Sequence, residues 1–392
     1  GLEAGGNLNW DIYNFIYFYS PSYENSKVIT FFLFIGYNKH TFFTEKTNYW
    51  KDYMAQVGNK TLMRELNRSN ILNYLRINGP TARTDIVRNI GLSAGAVSDI
   101  TSELMGLNFI VEESLGKSSG GRKPVFLAIN PDVGYVVGIK LMENKLAIAI
   151  TNFLAEVIET KQVDFKVGAP ENNFKEIAKI ANDFITEAGL DRGDLQGVGI
   201  GLPGIVDVER GVLQHSPIIG WRDVQVEEIM SEIMKVPVYI DNDVNTFTLT
   251  ELWFGKGLGA NHFMTVTIGR GIGLGIVTNG KIYRGQGGAG EIGHTVITPG
   301  GKRCDCGKQG CLEAYISDPA LVNEAFEQGL ITKQDSIKTL ANLANSGSVE
   351  AEKIISNAGY IFGSTLANLA NIFDPEFIIV GGEGLRLGDN FL

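Results

Sequence analysis

The apolar positions between residues 70 and 106 predict three short helices. The first covers 70–78 and stops at Gly79-Pro80, and Thr81 is placed to cap a second helix that ends at Gly91. Ser93 is placed to cap the third helix. Helical spacing gives this third helix a buried face of Val97, Ile100 and Leu104 and an exposed face of Ala94, Gly95, Ser98 and Asp99.

Two segments with alternating apolar and polar residues, 109–112 and 125–129, predict a β-hairpin whose tip, 116–123, is rich in glycine and basic residues. Three short helices and such a hairpin predict a winged helix-turn-helix over residues 59–130. In that fold the start of the third helix enters the major groove of DNA, and cations of the hairpin contact phosphates. The candidate DNA-binding residues are Ser93, Ala94, Gly95, Ser98, Lys117, Arg122 and Lys123.

From residue 131 onward, strand patterns alternate with helix patterns. Strands are predicted over 136–141, 145–152, 197–201, 236–240, 263–268, 273–278 and 377–380, and helices over 174–188, 226–234, 245–253, 319–328, 336–345 and 348–372. This order predicts an α/β body, residues 131–392, built of two layered lobes with a cleft between them.

Charge is distributed unevenly along the chain. Residues 59–124 contain nine Lys/Arg and six Asp/Glu, whereas residues 125–392 contain 21 and 33, and all 392 residues together have a net charge of −10. Such an acidic body excludes a protein that coats nucleic acid or anionic membrane along its whole surface. A DNA-binding module fits the basic segment. A protein-docking module is the alternative, because Asp99 and Glu103 place acidic groups on the third helix.

Two features bear on the compartment. The longest apolar run near the start, residues 28–37, is far shorter than the ~20 residues that a membrane-spanning helix needs. All three cysteines lie between Cys304 and Cys311, and a cluster of this kind fits a reducing compartment better than a disulfide framework. We therefore expect a cytoplasmic protein without a membrane partner.

Residues 1–53 carry 16 of the 38 aromatic residues and show no clear period, and the first methionine is Met54. The recognisable pattern begins just after this methionine. Residues 1–58 are therefore expected to be an upstream extension outside the working part of the protein. The alternative is a small aromatic-rich segment that packs on the body.

A histidine and all the cysteines form a metal-binding pattern. His294 precedes a compact, glycine-containing run with Cys304, Cys306 and Cys311. One imidazole and three thiolates supply the four ligands of a closed tetrahedral zinc site. Because a closed site leaves no open position for a catalytic water, the Zn²⁺ is expected to be structural.

The predicted strand 236–240 runs into Asp241-Asn242-Asp243 and then into a helix. In open α/β sheets ligands lie at the carboxyl ends of strands, so Asn242 and Asp243 are placed to bind the hydroxyl groups of a polyol. A carboxylate at Asp243 can also deprotonate a sugar hydroxyl during phosphoryl transfer. The alternative is that Asp241 or Asp243 only caps the following helix.

Four motifs resemble the ROK (repressor, ORF, kinase) family of sugar kinases and sugar-responsive repressors. They are the glycine run 268–276, the segment 285–290, the element 291–294, and the spacing of its histidine from the three cysteines. The resemblance covers residues 61–392 and implies a ribonuclease H-like, two-lobed fold of the actin/hexokinase type, with zinc and a sugar site. At matching positions it implies the sugar-binding residues Gly204, Asn242, Asp243, Glu291, His294 and Glu313, with Asp243 as the general base in a kinase.

Departures from the family pattern concern the nucleotide. Family kinases bind the ATP phosphates with an Asp-x-Gly-x-Thr turn, but here the matching stretch has Lys140 in place of the acid, followed by Met142 and Glu143. Arg270 replaces a small hydroxyl residue in the second phosphate loop. Because phosphoryl transfer depends on positioning and electrostatics, these replacements predict that kinase activity is lost and that no residue is catalytic.

The resemblance therefore implies the repressor branch of the family. A winged helix would bind operator DNA, and the body would bind a monosaccharide effector such as xylose, in a homodimer or homotetramer. A sugar kinase and a repressor controlled by a protein partner are the two alternatives. Because the family pattern continues beyond the glycines at 381–384, the chain is also expected to be truncated at its C-terminal end.

Overall fold

The structure is a computed structural model that describes residues 16–18, 60–113 and 125–391. The expected extension lies outside the described residues except for strand β1 (Ile16–Phe18). The tip of the predicted hairpin also lies outside them.

The first unit, here called the head, contains three helices and a small antiparallel sheet. Its helices are α1 (Lys60–Asn78), α2 (Arg83–Ile90) and α3 (Ala94–Gly106), and its strands are β2 (Thr81–Ala82), β3 (Ile110–Glu113) and β4 (Phe126–Ile129). Strand β4 pairs with both β2 and β3. The head has its own apolar core, in which Ile71, Ile86 and Leu104 are fully buried.

Two details of the head differ from the sequence prediction. Helix α1 begins ten residues earlier than predicted, because its first half is anchored by ion pairs from Arg64 and Arg68 to Glu103 of α3 rather than by an apolar face. Thr81 does not cap α2: it lies in β2 and its hydroxyl donates to the Gly79 carbonyl oxygen at 2.9 Å.

The first lobe of the body is built on a five-stranded sheet in the order β12-β8-β5-β6-β7. Strands β5 (Tyr135–Leu141), β6 (Lys145–Asn152) and β7 (Val157–Asp164) are antiparallel, and β8 (Leu195–Leu202) and β12 (Val238–Asn242) continue the sheet in parallel. Helices α4 (Pro170–Glu187) and α5 (Val226–Met234) share one apolar core with this sheet. A second, three-stranded sheet contains β9 (Ile205–Asp207), β10 (Val212–Ser216) and β11 (Trp221–Val224).

The second lobe repeats the same arrangement. Its sheet has the order β1-β16-β13-β14-β15, in which β13 (Phe263–Ile268), β14 (Ile272–Thr278) and β15 (Lys281–Ile282) are antiparallel and β16 (Phe377–Gly381) is parallel to both β13 and β1. Helices α7 (Glu313–Ile316), α8 (Asp318–Glu327), α9 (Ile337–Asn345) and α10 (Val349–Phe373) complete it. The predicted two-lobed α/β body is therefore present.

Helix α6 (Asp243–Phe254) links the two lobes, and its residues 245–252 are all buried. It follows β12 of the first lobe directly and packs on the β13–β14 hairpin of the second. The Thr248 hydroxyl is 2.6 Å from that of Thr265 on β13, and a Cβ at Gly275 of β14 would collide with Thr248. Glycine at position 275 therefore allows α6 to lie directly on the second lobe.

All strands and helices predicted for the body are present, although the ends of some differ from the prediction. The strand predicted over 236–240 is observed at Val238–Asn242. Pro237 has no N–H to donate, and the polar residues Asp241 and Asn242 continue the ladder by pairing with Gly201 and Leu202. Strands β7, β9 to β11 and β15 were not predicted. Among the described residues, none of the helices has the length and apolarity needed to cross a membrane.

Candidate functional site

A compact cluster of metal-ligand side chains lies on the second lobe. The ligand atoms of His294, Cys304, Cys306 and Cys311 all lie within 4.8 Å of one another. The Cys304 Sγ is 3.6 Å from the His294 Nδ1, and the Cys306 and Cys311 Sγ atoms are also 3.6 Å apart. Tetrahedral zinc, bound at about 2.3 Å by sulfur and about 2.0 Å by nitrogen, separates its ligands by about 3.5–3.8 Å. Donor chemistry and spacing therefore both fit zinc.

Backbone geometry holds this cluster together. Val296 pairs with Cys311, and Gly310 has φ 84°, where a Cβ would collide with a backbone carbonyl group. Burial raises the pKa of the Cys304 thiol to about 12. Because such a thiol ionises readily only beside a strong cation, the donor set is suited to a metal ion.

Asn242 connects the end of β12, the start of α6 and the turn after β8. Its Oδ1 accepts hydrogen bonds from the backbone N–H groups of Val244 and Asn245, at 2.8 and 3.2 Å. Its Nδ2 donates to the Gly204 carbonyl oxygen at 2.9 Å. The helix cap is therefore Asn242, so the alternative that Asp241 or Asp243 serves as the cap is wrong. Gly204 has φ 113°, and a side chain there would collide with the His215 carbonyl.

Asp241 has a structural role, but one that differs from the helix cap considered for it from the sequence. It is only 1% exposed and its Oδ2 accepts from the Arg284 Nη2 at 2.6 Å. Its Oδ1 accepts from the Asn242 N–H at 2.8 Å and from the Asn245 Nδ2 at 3.2 Å. Arg284 follows β15 of the second lobe, so this buried ion pair fixes the Asn242 segment against the glycine-rich loop 285–290. The only sequence signal for Arg284 was its position directly before that loop.

Asp243 is partly exposed and faces a cation. Its Oδ2 is 3.4 Å from the Lys140 Nζ, and the two side chains are 24% and 33% exposed. Lys140 lies near the end of β5, where family kinases are expected to have an acid. The ion pair therefore engages the carboxylate that would serve as general base in a kinase.

A second ion pair connects the two lobes. The Arg270 Nε, in the β13–β14 turn, is 2.8 Å from a carboxylate oxygen of Glu143, in the β5–β6 turn. Hydrogen bonding to Glu143 raises the pKa of Arg270 further. Arg270 and Glu143, which both depart from the family pattern in the predicted phosphate loops, thus contact each other and connect the lobes.

Three carboxylates and the metal-cluster histidine lie close together around the cleft. Although Glu291 is exposed, desolvation by neighbouring protein atoms raises its pKa; His294 opposes this rise, and the charges of Asp243 and Glu313 add to it. The Oε2 of Glu313 accepts from the Ile272 N–H at 3.2 Å. It lies so close to Gly271 and Gly293 that a Cβ at either position would crowd it. The Asn242–Gly204 hydrogen bond and the charge effects on Glu291 thus place the predicted sugar-binding residues near one another: Gly204, Asn242, Asp243, Glu291, His294 and Glu313.

The candidate DNA-binding residues are only partly described. Ser93 caps α3 by accepting from the Ala96 N–H at 3.2 Å, as predicted. Ala94, Gly95 and Ser98 are exposed on the first turns of α3, as predicted. Lys117, Arg122 and Lys123 lie outside the described residues.

Two lobes with the same strand order and an intervening cleft define an α/β protein of the actin/hexokinase-like class. The chain belongs to the ROK family, whose model matches residues 136–391.

Three relatives illustrate what the chain is similar to. The xylose repressor of Caldicellulosiruptor bescii is 33% identical over 349 residues, which are 86% of this chain and 88% of the relative. The crystal structure of a ROK family transcriptional regulator, a homolog of the E. coli MLC protein, has a TM-score of 0.73 at 26% identity and covers 83% of this chain and 85% of its own. A ROK family glucokinase from Streptomyces griseus, in complex with glucose and AMPPNP, has a TM-score of 0.58 at 29% identity and covers 66% and 86%.

Proposed function

We propose that the protein is a sugar-responsive transcriptional repressor. Its head binds operator DNA as a winged helix-turn-helix, residues 59–130, and its body, residues 131–392, binds a monosaccharide. The observation that carries this proposal is the cleft itself. It contains side chains of the kind that bind sugars. The ion pairs Lys140–Asp243 and Arg270–Glu143 lie where nucleotide phosphates would be expected.

The cleft is suited to a neutral polyhydroxylated ligand. Carboxylates accept hydrogen bonds from hydroxyl groups, and the site offers those of Asp243, Glu291 and Glu313. Gly204 brings backbone close to the ligand, and Asn242 holds that turn in place. The surplus of negative charge disfavours a phosphorylated sugar by like-charge repulsion. We therefore assign a free pentose or hexose as the effector, with xylose first among the candidates because of the similar xylose repressor.

The metal has a structural part in this proposal. When bound, Zn²⁺ would hold His294, Cys304, Cys306 and Cys311 in one tetrahedral set and keep the cysteines as thiolates. With its Nδ1 directed at the sulfurs, His294 presents its other ring nitrogen for the ligand. The metal-bound segment would then hold the neighbouring carboxylates Glu291 and Glu313 in place.

The head is assigned to DNA by its exposed helix start and by the charge of the segment outside the described residues. Ser93, Ala94, Gly95 and Ser98 would approach base edges, and Lys117, Arg122 and Lys123 would contact phosphates. The larger share of the chain covered by the regulator structure than by the glucokinase, 83% against 66%, supports a head of this size. Two such heads in a homodimer or homotetramer would read a palindromic operator.

A ROK sugar kinase is the alternative, favoured by the glucokinase similarity. We propose that phosphoryl transfer is absent, because Lys140 pairs with Asp243 and because the Arg270–Glu143 ion pair occupies the predicted phosphate loops. A coupled assay with ATP and a panel of hexoses and pentoses tests this. Background rates are expected, and turnover of about 1 s⁻¹ or more would establish a kinase.

The direct test of the sensor uses thermal shift with D-xylose, D-glucose and N-acetyl-D-glucosamine. A sugar that binds the folded protein raises its Tm by mass action. Asp243→Ala is expected to abolish this rise and to leave DNA binding intact. Lys179→Ala is the matched control and should respond like the wild type. It removes an exposed ion pair with Asp183 on α4, distant in sequence from Asp243. DNA release that requires a protein partner and ignores all three sugars would favour a partner-controlled repressor instead.

A further inference from the structure

The head contacts the body at two places that belong to different lobes. At the first, Val136 and Phe153 of the first lobe are part of the head's apolar core, and the Phe153 ring lies 5.5 Å from that of Phe109. At the second, Trp253 and Phe254, at the end of α6, pack against the same core. Trp253 also packs against the core of the second lobe, beside residues such as Phe263. The head therefore bridges the two lobes.

Arg76 makes the second contact specific. It lies in the last turn of α1, and its Nη1 donates to the Trp253 carbonyl oxygen at 2.6 Å. Its guanidinium carbon lies 5.5 Å from the ring centroid of Trp253 and 5.2 Å from that of Phe254. Burial lowers the pKa of Arg76 to about 10, which leaves it a cation at neutral pH. It thus combines a charged hydrogen bond with cation–π contacts to two aromatic rings.

Helix α6 joins this contact to the proposed sugar site. Its N-terminal end carries Asn242 and Asp243, and its C-terminal end carries Trp253 and Phe254. Twelve helical residues span about 18 Å. Because the middle of α6 is buried and hydrogen-bonded to the second lobe through Thr248, the helix transmits a displacement as a rigid unit.

We propose that Arg76 is a positioning residue that sets the orientation of the head according to the state of the sugar cleft. This inference rests on the proposed function. Sugar contacts residues of both lobes, so it favours one angle between them. A change of that angle moves the end of α6 relative to Phe153, and a head held at both points must turn. The turn alters how the α3 helices of an assembly meet the two halves of an operator.

The test uses the full chain and a duplex selected by the wild type from a random-sequence DNA pool. The Kd for this duplex is measured with and without saturating D-xylose, D-glucose or N-acetyl-D-glucosamine. Effectors of this kind change affinity by roughly 5- to 150-fold. Arg76→Met keeps the length and apolar stem of the side chain but removes the donors and the charge. It should reduce the sugar effect to about twofold or less, and Arg76→Lys should restore part of it.

A second readout separates positioning from mere support of the fold. Sugar affinity without DNA should stay at the wild-type value in Arg76→Met. The change in sugar affinity that DNA causes should fall to the same factor of about twofold or less, because coupling is reciprocal. Arg64→Ala is the matched control: it removes a cation from the same helix, one that pairs with Glu103 inside the head, and should keep the full sugar effect. Phe254→Leu removes one of the two aromatic rings that contact Arg76 and should also lower the sugar effect. This variant serves as the test if Arg76→Met does not fold.

The outcomes distinguish the positioning role of Arg76 from the sugar-sensing function. If the wild type responds to a sugar and Arg76→Met or Phe254→Leu responds equally, the positioning role of Arg76 is wrong while the sensor proposal stands. If no sugar changes the wild-type affinity for DNA, the proposed function fails and the role of Arg76 fails with it.

Discussion

Asp241 and Asp243 stand two residues apart, yet their surroundings predict opposite effects of substitution. Asp241 is buried, accepts three hydrogen bonds and neutralises Arg284, which is itself only 15% exposed. Removing one partner of a buried ion pair costs about 3–5 kcal/mol. At about 2 °C for each kcal/mol in a chain of this size, Asp241→Ala should lower the Tm by about 6–10 °C.

Asp243 makes one partly exposed ion pair at 3.4 Å. Pairs of this kind contribute about 0–1 kcal/mol, so Asp243→Ala should change the Tm by about 2 °C or less. Calorimetric melting of both variants, with and without the sugar that stabilises the wild type, checks both statements. Asp243→Ala should melt normally and ignore the sugar. If it melts as early as Asp241→Ala, or if Asp241→Ala melts like the wild type, the division into one structural and one ligand-binding carboxylate is refuted.

Three further outcomes are expected. Replacing Arg122 and Lys123 with Ala should reduce the slope of log affinity for DNA against log salt by about two, as measured by fluorescence anisotropy; an unchanged slope argues against phosphate contacts by the wing. Removing metal with a chelator should lower the Tm of the wild type but have no further effect on Cys306→Ser, which lacks one ligand. Burial raises the pKa of Asp318 to about 6, so stability present below pH 3.8 should be lost as the pH rises through 6; Asp318→Asn should flatten this dependence in pH-resolved melting curves, and a curve like that of the wild type would exclude Asp318 as its source.

The body was predictable because its strands and helices are strongly patterned. Strands such as β13 and helices such as α5 were predicted with their observed ends. Strand β7 was missed because it lies at a sheet edge with most residues exposed, and so lacks an alternating buried face. Local spacing was likewise sufficient for the metal cluster, since its cysteines lie within eight residues.

The ion pairs of the cleft were beyond the reach of sequence reasoning. Arg284 and Asp241 are 43 positions apart, and Arg270 and Glu143 are 127 apart. Nothing in the local pattern pairs such residues, because the pairing arises only when two lobes fold against each other. For the same reason Arg76, on a helix of the head, could not be matched to Trp253.

The Arg270–Glu143 bridge has a consequence for experiments on this molecule. Its two side chains are 50% and 42% exposed, so dissolved ions weaken it, and a cleft held partly by it should open more readily in concentrated electrolyte. Salt would then act on this protein in two ways. Its cations would compete with the protein's Lys and Arg side chains for the DNA phosphates, and its screening would weaken the ion pair that holds the two lobes together around the sugar. A titration performed with sugar present would merge both effects into one curve, so the two are separable only when each ligand is titrated alone.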